Sequence, residues 1–265
     1  MNPSNLDSIR RSFEIQAKNF ESRSLHFSKE DYLQFTLSCV APDRTDTFLD
    51  VAAGTCVCGR SFSPLVQTVV CLDATVPMLQ VGKREADNSR LDNLIFIKGC
   101  AEELPFLQNS FDIVFSRLAF HHFTDVNRVF SEMVRVLKPG GKLVMIDMEA
   151  AEEALRNTQD EIEALRDPSH VKNLSKSEMK QLFSEHRLSV ERCETTEIQQ
   201  HLTNWLHLTK TPDRIRDQIL QRMQAEIAGK ERTGFSPYWE GDGICFNQRW
   251  VLLLGKKKIQ TAALL

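Results

Sequence analysis

The chain has 265 residues, 42% of them hydrophobic and 26% charged, and its 33 basic and 36 acidic side chains give a formal net charge of -3. This composition is typical of a globular protein that can bury one large core. The net negative charge argues against duplex nucleic acid as a partner, because such binding draws largely on the release of phosphate counterions. The N-terminus has no apolar signal core and the chain has no membrane-length apolar run, so we expect a cytoplasmic protein without a membrane span.

The seven cysteines are scattered along the chain, and their spacing forms neither a zinc pattern nor a disulfide framework. Cys56 and Cys58 make one close pair. A thiol pair raises the hypothesis of metalloid methylation, but the sequence shows no well-spaced third cysteine to complete a ligand set. We therefore expect a protein that needs no metal.

The first 45 residues are predicted to form a helical cover. Between residues 6 and 39 the apolar side chains of Ile9, Phe13 and Phe20 recur at helical spacing in a polar sequence. From residue 46 the pattern changes to short apolar runs separated by stretches that favour helix or loop. We predict strands at 47–51, 66–72, 94–98, 111–115 and 142–147, with helices such as 77–86 and 125–137 between them.

Short strands that alternate with helices indicate a parallel sheet with helices on both faces. Right-handed crossovers then predict an α/β fold with a Rossmann-like, doubly wound, mostly parallel sheet of seven strands. Beyond residue 148 the alternation lapses. There we predict helices at 150–166, 175–185, 198–208 and 212–228, and strands at 186–194 and 249–255.

The strongest local signal is Phe-Leu-Asp-Val-Ala-Ala-Gly-Thr at 48–55, a predicted strand that runs straight into a turn of small residues. In an open parallel sheet, ligands bind beyond the carboxyl ends of the strands, and small residues let them approach the backbone. Asp73 ends the next predicted strand, 19 residues beyond Gly54. At this spacing an acidic side chain can accept both hydrogen bonds of a ribose diol, which predicts a cofactor site here.

Four segments, in this order, resemble the motifs of one enzyme family. They are Leu-Asp-Val-Ala-Ala-Gly-Thr at 49–55, Asp73, Gly-Cys-Ala-Glu-Glu-Leu-Pro-Phe at 99–106 and Val-Leu-Lys-Pro-Gly-Gly-Lys-Leu at 136–143. Together they resemble the class I S-adenosylmethionine-dependent methyltransferases, in the branch of the ubiquinone/menaquinone C-methyltransferases. A closer likeness, to uncharacterised bacterial small-molecule methyltransferases, continues through Arg-Asp-Pro-Ser-His-Val at 166–171. The resemblance implies S-adenosyl-L-methionine as cofactor and S-adenosyl-L-homocysteine as product.

The resemblance also implies roles at the cofactor. Asp50 and the backbone of Ala52, Gly54 and Thr55 would face the methionine moiety, and Asp73 would hold the ribose. Ala74 and Met78 would pack on the adenine face, and Ala101 and Glu102 would border the adenine edge. Ser116 and Arg117 would line the sulfonium end. The chain departs from the family at Ala52 and Cys56, where glycines are usual, and at Cys100, where an aspartate is common. We expect Cys56 to tighten or redirect the methionine pocket.

Two histidines after the fourth predicted strand are candidate catalytic residues. Methyl transfer is an in-line displacement that often requires removal of a proton from the acceptor. His121 or His122 would serve as the general base near neutral pH. The alternative is that both merely cap the following helix and shape the pocket.

The candidate substrate contacts are Arg166, His170 and Trp205. Pro168 breaks a predicted helix and leaves Arg166 and His170 on a loop. Arg166 would grip a carboxylate or phosphate, or else pair with Asp167 to fix the turn. A tryptophan on an amphipathic helix is more often core than substrate contact, and both interpretations of Trp205 stay open.

These features predict a single methyltransferase domain over 1–265, with a cover at 1–45, a cofactor-binding core at 46–150, a helical insertion forming the acceptor pocket at 151–240, and a final strand and tail at 241–265. The expected reaction moves a methyl group to O, N or C of a small, aromatic or carboxylate-bearing acceptor. Alternatives are a quinone-precursor C-methyltransferase, a nucleic-acid methyltransferase, which would need a basic face, and a non-catalytic S-adenosylmethionine-binding or partner-binding protein. A homodimer is left open.

Overall fold

The computed structural model describes residues 3–17, 30–150 and 152–259. The helices are α1 (Pro3–Gln16), α2 (Glu30–Val40), α3 (Val57–Phe62), α4 (Val76–Asn88), α5 (Val126–Val136), α6 (Arg156–Arg166), α7 (Lys176–Glu185), α8 (Leu202–Leu208) and α9 (Asp213–Ile227). The strands are β1 (Thr47–Val51), β2 (Thr68–Asp73), β3 (Leu94–Lys98), β4 (Phe111–Arg117), β5 (Leu137–Met148), β6 (Leu188–His201), β7 (Tyr238–Glu240) and β8 (Gly243–Lys257). Phe20 and the end of the predicted tail, 260–265, lie outside the described residues.

One sheet organises the fold, with strand order β3-β2-β1-β4-β5-β8-β6. Strands β1 to β5 run parallel, whereas β8 is antiparallel to both β5 and β6. The three-residue β7 pairs only with β8 and lies off the main path. The order reverses between β1 and β4, which is the point where a doubly wound sheet opens a crevice for ligands. The predicted Rossmann-like, mostly parallel sheet is confirmed.

The main departure from the predicted elements lies in β6. The prediction ended this strand at residue 194 and began a helix at 198, whereas the strand continues to His201 and α8 begins at Leu202. Ile198 and Gln200 are buried and alternate with more exposed neighbours, which is the two-residue period of a strand. Pairing with β8 along its whole length therefore prevails over local helix propensity. The segment 151–240 consequently contributes a sheet strand as well as helices.

The core lies on both faces of the sheet. On one face, Phe48, Phe62 and Phe115 pack together, and the rings of Phe48 and Phe62 stack with centroids 4.4 Å apart. On the other face, α5 and α7 bury Phe130 and Phe183 against the strands. A third apolar cluster, within the C-terminal part, is built on Trp205, Phe235 and Phe246 and anchors α8 beside the sheet. Within the described part of the chain, none of the helices combines the length and apolarity needed to cross a bilayer.

Candidate active site

A large cavity opens at the carboxyl ends of β1, β2 and β4, with a volume of about 1330 Å³ when its open mouth is included. It is lined by Asp50, Ala52, Gly54, Thr55, Asp73, Ala74, Met78, Ala101, Glu102, Arg117, His121, His122, Arg166, His170 and Trp205, together with residues of α1 and Gln248. Every site residue predicted from the sequence except Ser116 therefore lines one space. The fold brings the predicted cofactor and acceptor residues together.

The loop after β1 adopts backbone conformations that usually require glycine. Ala52, Gly54 and Cys56 all have positive φ, at 56°, 55° and 60°. Two of the three are not glycine, although a left-handed conformation costs a residue with a Cβ roughly 1–2 kcal/mol. The loop is held by backbone bonds, among them Ala53 N to Leu72 O at 3.0 Å. The glycines that the family resemblance implies at positions 52 and 56 would thus adopt these positive φ values without strain.

Two side chains near this loop, those of Cys56 and Ser116, lie outside the cavity lining. Cys56 does not line the cavity; it is fully buried, and its thiol donates to the backbone carbonyl of Gly54 at 3.6 Å. Ser116 is also fully buried and lies outside the cavity, while Arg117, the next residue of β4, lines it. Successive side chains of a strand point to opposite faces, so one of this pair had to turn away. Cys58 and Cys100 border the cavity, whereas Cys56 does not, so the close pair Cys56 and Cys58 does not face the cavity together.

Asp73 ties the loop after β1 to the end of β2. Its Oδ2 accepts a hydrogen bond from the backbone N–H of Gly54 at 2.8 Å, and its Oδ1 accepts one from Thr75 N at 2.7 Å. Burial raises the pKa of Asp73, and the two backbone donors oppose that shift. Asp50, on β1, accepts from Gly59 N at 3.0 Å, and burial raises its pKa to about 7. Two carboxyl groups thus face the same end of the cavity.

His121 forms a buried pair with Asp147, the penultimate residue of β5. The distance from His121 Nδ1 to Asp147 Oδ1 is 2.6 Å. The carboxylate also accepts from the backbone N–H groups of Ala119, Phe120 and Met148, at 3.1, 2.6 and 2.7 Å. Burial lowers the pKa of His121, but the charge and hydrogen bond of Asp147 outweigh it, so the pKa is raised overall. The carboxylate fixes the ring and favours its protonated form.

His122 differs from His121 in its electrostatic environment. The two ring centroids are 4.0 Å apart. Burial, followed by the adjacent His121, lowers the pKa of His122 to about 3, so this imidazole is neutral at physiological pH. Its Nδ1 lies 3.1 Å from the hydroxyl of Ser169. Neither histidine caps α5, whose N-terminal N–H group at Arg128 is bound instead by the side chain of Asp125.

Arg166 is already paired inside the cavity wall. Its Nη1 donates to Glu163 Oε2 at 2.7 Å, and its guanidinium lies 4.3 Å from the ring centroid of Trp205. The predicted alternative, a pair with Asp167, does not form. Trp205 both lines the cavity and packs in the apolar cluster with Phe235, so its two interpretations are not exclusive. His170 donates from Nε2 to Asp160 Oδ1, 2.8 Å away.

Asp167 connects the loop after α6 to α1. Its carboxylate accepts from Ser12 Oγ at 2.7 Å and from Gln16 Nε2 at 3.1 Å, as well as from Ser169 Oγ at 2.6 Å. Phe13 of the same helix meets His122 edge-on, with ring centroids 5.1 Å apart. Burial would raise the pKa of Asp167, but the charge of Arg166 and the hydrogen bonds from Ser169 and Ser12 lower it overall. An ionised carboxylate therefore holds α1 over the cavity.

Removing both α1 contacts, in the double variant Ser12→Ala/Gln16→Ala, is expected to loosen the cover helix. Hydrogen bonds to a charged group contribute about 1.5–3 kcal/mol each, so amide exchange within 3–17 should accelerate at least tenfold. Hydrogen-exchange mass spectrometry on the full chain measures this directly. Glu14→Gln, at an exposed position of the same helix, is the control and should leave exchange unchanged. Equal exchange in the double variant and the wild type would contradict the role given to Asp167.

Sequence reasoning missed Asp147, Glu163 and Gln16 as site residues. Asp147 lies one residue before the end of β5, the strand next to β4, and the rule that singled out Asp73 could have found it. Glu163 and Gln16 carry no such signal, because their positions depend on how α6 and α1 pack.

The comparisons with known proteins agree with this geometry. A family model described as a methyltransferase domain matches residues 49–145. The chain is 33% identical over 225 residues to the uncharacterized methyltransferase YcgJ of Bacillus subtilis, covering 84% of this chain and 88% of YcgJ. The crystal structure of YcgJ superposes with a TM-score of 0.80 at 29% identity, covering 87% of this chain and all of that one.

A second relative is the uncharacterized protein YafE of Escherichia coli K12, which is 36% identical over 64% of this chain and 83% of YafE. A third is a ubiquinone/menaquinone biosynthesis C-methyltransferase of Hahella chejuensis, which is 41% identical over 37% of this chain and 41% of that enzyme. The fold, the loop after β1 and the cavity define a Rossmann-like group-transfer enzyme. The chain belongs to the class I S-adenosylmethionine-dependent methyltransferases.

Proposed function

We propose that this methyltransferase transfers the methyl group of S-adenosylmethionine to a small, largely apolar acceptor that carries an ionisable hydroxyl or amine. The observation that carries the proposal is the continuity of the cavity. Gly54 and Asp73 at one end and His121 and Trp205 at the other line the same space. An enzyme of this class must hold cofactor and acceptor in line and away from water, and one continuous cavity gives both ligands room to do so.

The residues at the cofactor end suit S-adenosylmethionine. Two buried polar atoms that line the cavity, Thr55 Oγ1 and Arg117 Nη1, have no hydrogen-bond partner among the described residues. Buried polar groups are normally satisfied, so both atoms are suited to receive polar atoms of a ligand. We propose that Asp73 holds the ribose, that Ala74, Met78, Ala101 and Glu102 surround the adenine, and that Asp50, Ala52, Thr55 and Arg117 surround the methionine moiety. When bound, the cofactor supplies an electrophilic methyl group.

The acceptor end favours a neutral ligand over an anionic one. The charge of Arg166 is balanced by Glu163, so it is not free for a substrate carboxylate. Apolar side chains of α1 and of the C-terminal part, including Leu6, Ile9 and Leu208, supply much of the surface. Burying an unpaired carboxylate there would be costly, whereas a flat apolar ring would gain by leaving water.

We assign the role of general base to His121, with Asp147 as its positioning residue. The base must first be deprotonated, and Asp147 raises the pKa of His121. The rate at limiting acceptor should therefore rise with pH through a value above that of an ordinary histidine. His122, with a pKa near 3, is too weakly basic to take this proton and is proposed to shape the acceptor pocket with His170.

Calorimetric titration of the purified chain with S-adenosylmethionine and S-adenosylhomocysteine tests the cofactor. We expect micromolar binding of both, because two carboxyl groups and an enclosed cavity face the ligand. Neutral phenols and amines, matching carboxylates and quinone precursors are then compared by release of S-adenosylhomocysteine, with neutral acceptors expected to react fastest. No binding at millimolar ligand would refute the enzyme assignment of this site; binding without turnover of any acceptor would favour the non-catalytic alternative.

A further inference from the structure

Three potential metal ligands converge away from the cavity, at the junction of β6, β7 and β8. They are His201, Glu240 and Cys245, and one ligand atom from each lies within 4.8 Å of the other two. The Cys245 sulfur is 3.2 Å from His201 Nδ1 and 3.3 Å from Glu240 Oε2. Three side chains of different chemistry thus point at one another from three separate strands.

Strand pairing explains why these residues meet. His201 and Tyr238 are the residues directly opposite Cys245 on its two neighbouring strands. Glu240 follows Tyr238 by two positions and therefore lies on the same face of the sheet. Phe246, the next residue of β8, points to the other face and packs on Trp205. The three ligand candidates accordingly lie on the opposite side of the sheet from the acceptor end of the cavity.

We propose that His201, Glu240 and Cys245 form a binding site for one divalent transition-metal ion, of which Zn²⁺ fits best. Zinc takes thiolate, imidazole and carboxylate ligands in tetrahedral geometry, with bonds of roughly 2.3 Å to sulfur and about 2.0–2.2 Å to nitrogen and oxygen. Adjacent ligands of such a tetrahedron are about 3.5 Å apart, close to the distances from Cys245. A thiolate with an imidazole selects zinc over magnesium or calcium, which prefer oxygen ligands.

The atoms that now bond through the Cys245 thiol are the same atoms that would bind an ion. The Cys245 sulfur donates its one proton to Glu240 Oε2 and lies within hydrogen-bonding distance of His201 Nδ1. An ion among the three would replace that proton, and its charge would balance a thiolate and a carboxylate. Glu240 is further oriented by Gln199, whose Nε2 donates to its Oε2 at 3.1 Å and to the hydroxyl of Tyr238 at 2.8 Å. Such outer contacts fix the orientation of metal ligands.

The burial of the three residues fits a site at the surface. Cys245 is fully buried, His201 is half-buried and Glu240 is exposed. An ion would therefore have an anchored sulfur beneath it and a solvent-facing fourth position for water, which is the arrangement of an open zinc site. All three residues of β7 are exposed, and this short strand pairs only with β8. The ion would fasten it to β6 and β8.

The test uses the full chain after treatment with a chelator, titrated with Co²⁺ as a coloured probe and then with Zn²⁺. We expect one Co²⁺ per chain, with the charge-transfer absorption of a cobalt–thiolate bond, and displacement of the cobalt by Zn²⁺. Cys245→Ser should abolish that band, and His201→Gln and Glu240→Gln should each weaken Zn²⁺ binding at least tenfold. Cys193→Ser, at a half-buried cysteine of β6, is the control and should keep the band.

If Cys245→Ser folds poorly, the effect of Zn²⁺ on the unfolding temperature of other variants provides a second test. Zn²⁺ should raise the unfolding temperature of the wild type, because it binds the folded state, and should raise that of Glu240→Gln, which alters an exposed side chain, by clearly less at the same Zn²⁺ concentration. Failure to take up either metal at one equivalent would overturn the proposal. So would a cobalt band that persists in Cys245→Ser or a full zinc effect in Glu240→Gln. None of these outcomes depends on the cofactor or acceptor.

Discussion

Replacing Asp73 with alanine is expected to weaken S-adenosylmethionine binding by at least a hundredfold. The side chain is 9% exposed and lines the cavity, where the proposed ribose would meet its carboxylate. Two hydrogen bonds to a charged group contribute about 1.5–3 kcal/mol each, and a loss of about 3 kcal/mol corresponds to more than a hundredfold in affinity. The same carboxylate also orders the loop through Gly54 N, so its loss affects both the ligand contacts and the loop.

Isothermal titration calorimetry with S-adenosylhomocysteine, which avoids turnover, measures the effect. Asp73→Asn keeps the shape and one acceptor oxygen but removes the charge, so its affinity should fall between those of the wild type and Asp73→Ala. Asp87→Ala is the matched control, because this carboxylate on α4 is exposed and pairs only with Lys83 at the surface. If Asp73→Ala bound within a factor of about three of the wild type, well under 1 kcal/mol, the pocket would be wrongly placed.

The proximity of Gly54 and Asp73 was predictable because the signals for it are local. A strand that ends in small residues, followed by a strand that ends in aspartate, brings Gly54 and Asp73 to the same edge of any parallel sheet. The structure places them 2.8 Å apart, N to Oδ2. What local sequence could not supply was side-chain direction. Ser116 and Arg117 are adjacent, and which of them enters the cavity depends on the register of β4 in the sheet.

The acceptor end was predictable only in part. His121, His122 and Arg166 were recognised by residue type, but the residues that pair with them were not. Glu163 pairs with Arg166, and this changes which ligands that part of the cavity wall can accept. The boundary between β6 and α8 was misplaced for a similar reason. Residues 198–201 follow the strand because β8 offers partners along that whole length, and no window of the sequence contains both strands.

Replacing Asp147 with alanine is expected to destabilise the fold by about 3–5 kcal/mol, because three buried backbone N–H groups and the ring of His121 lose their acceptor. Asp147→Asn should cost less, since an amide oxygen replaces part of the acceptor. Urea unfolding, monitored by circular dichroism, measures both free energies. Wild-type stability in Asp147→Ala would show that these donors are satisfied in another way.

The cost of Asp147→Asn should also depend on pH. The pKa of His121 is raised in the folded protein. The stability that this residue contributes is therefore complete below about pH 6.5 and is lost as the pH rises through the raised pKa. The pKa of Asp147 is lowered, so its contribution is present above about 3.9 and is lost as the pH falls through the lowered value. The free energy of unfolding of Asp147→Asn should therefore lie furthest below that of the wild type near pH 5 and closer to it at pH 9.

In a His121→Gln background this difference between the two pH values should vanish, because the titrating partner is gone. A difference that persisted there would assign the pH dependence to another group and leave Asp147 without a role in setting the basicity of His121.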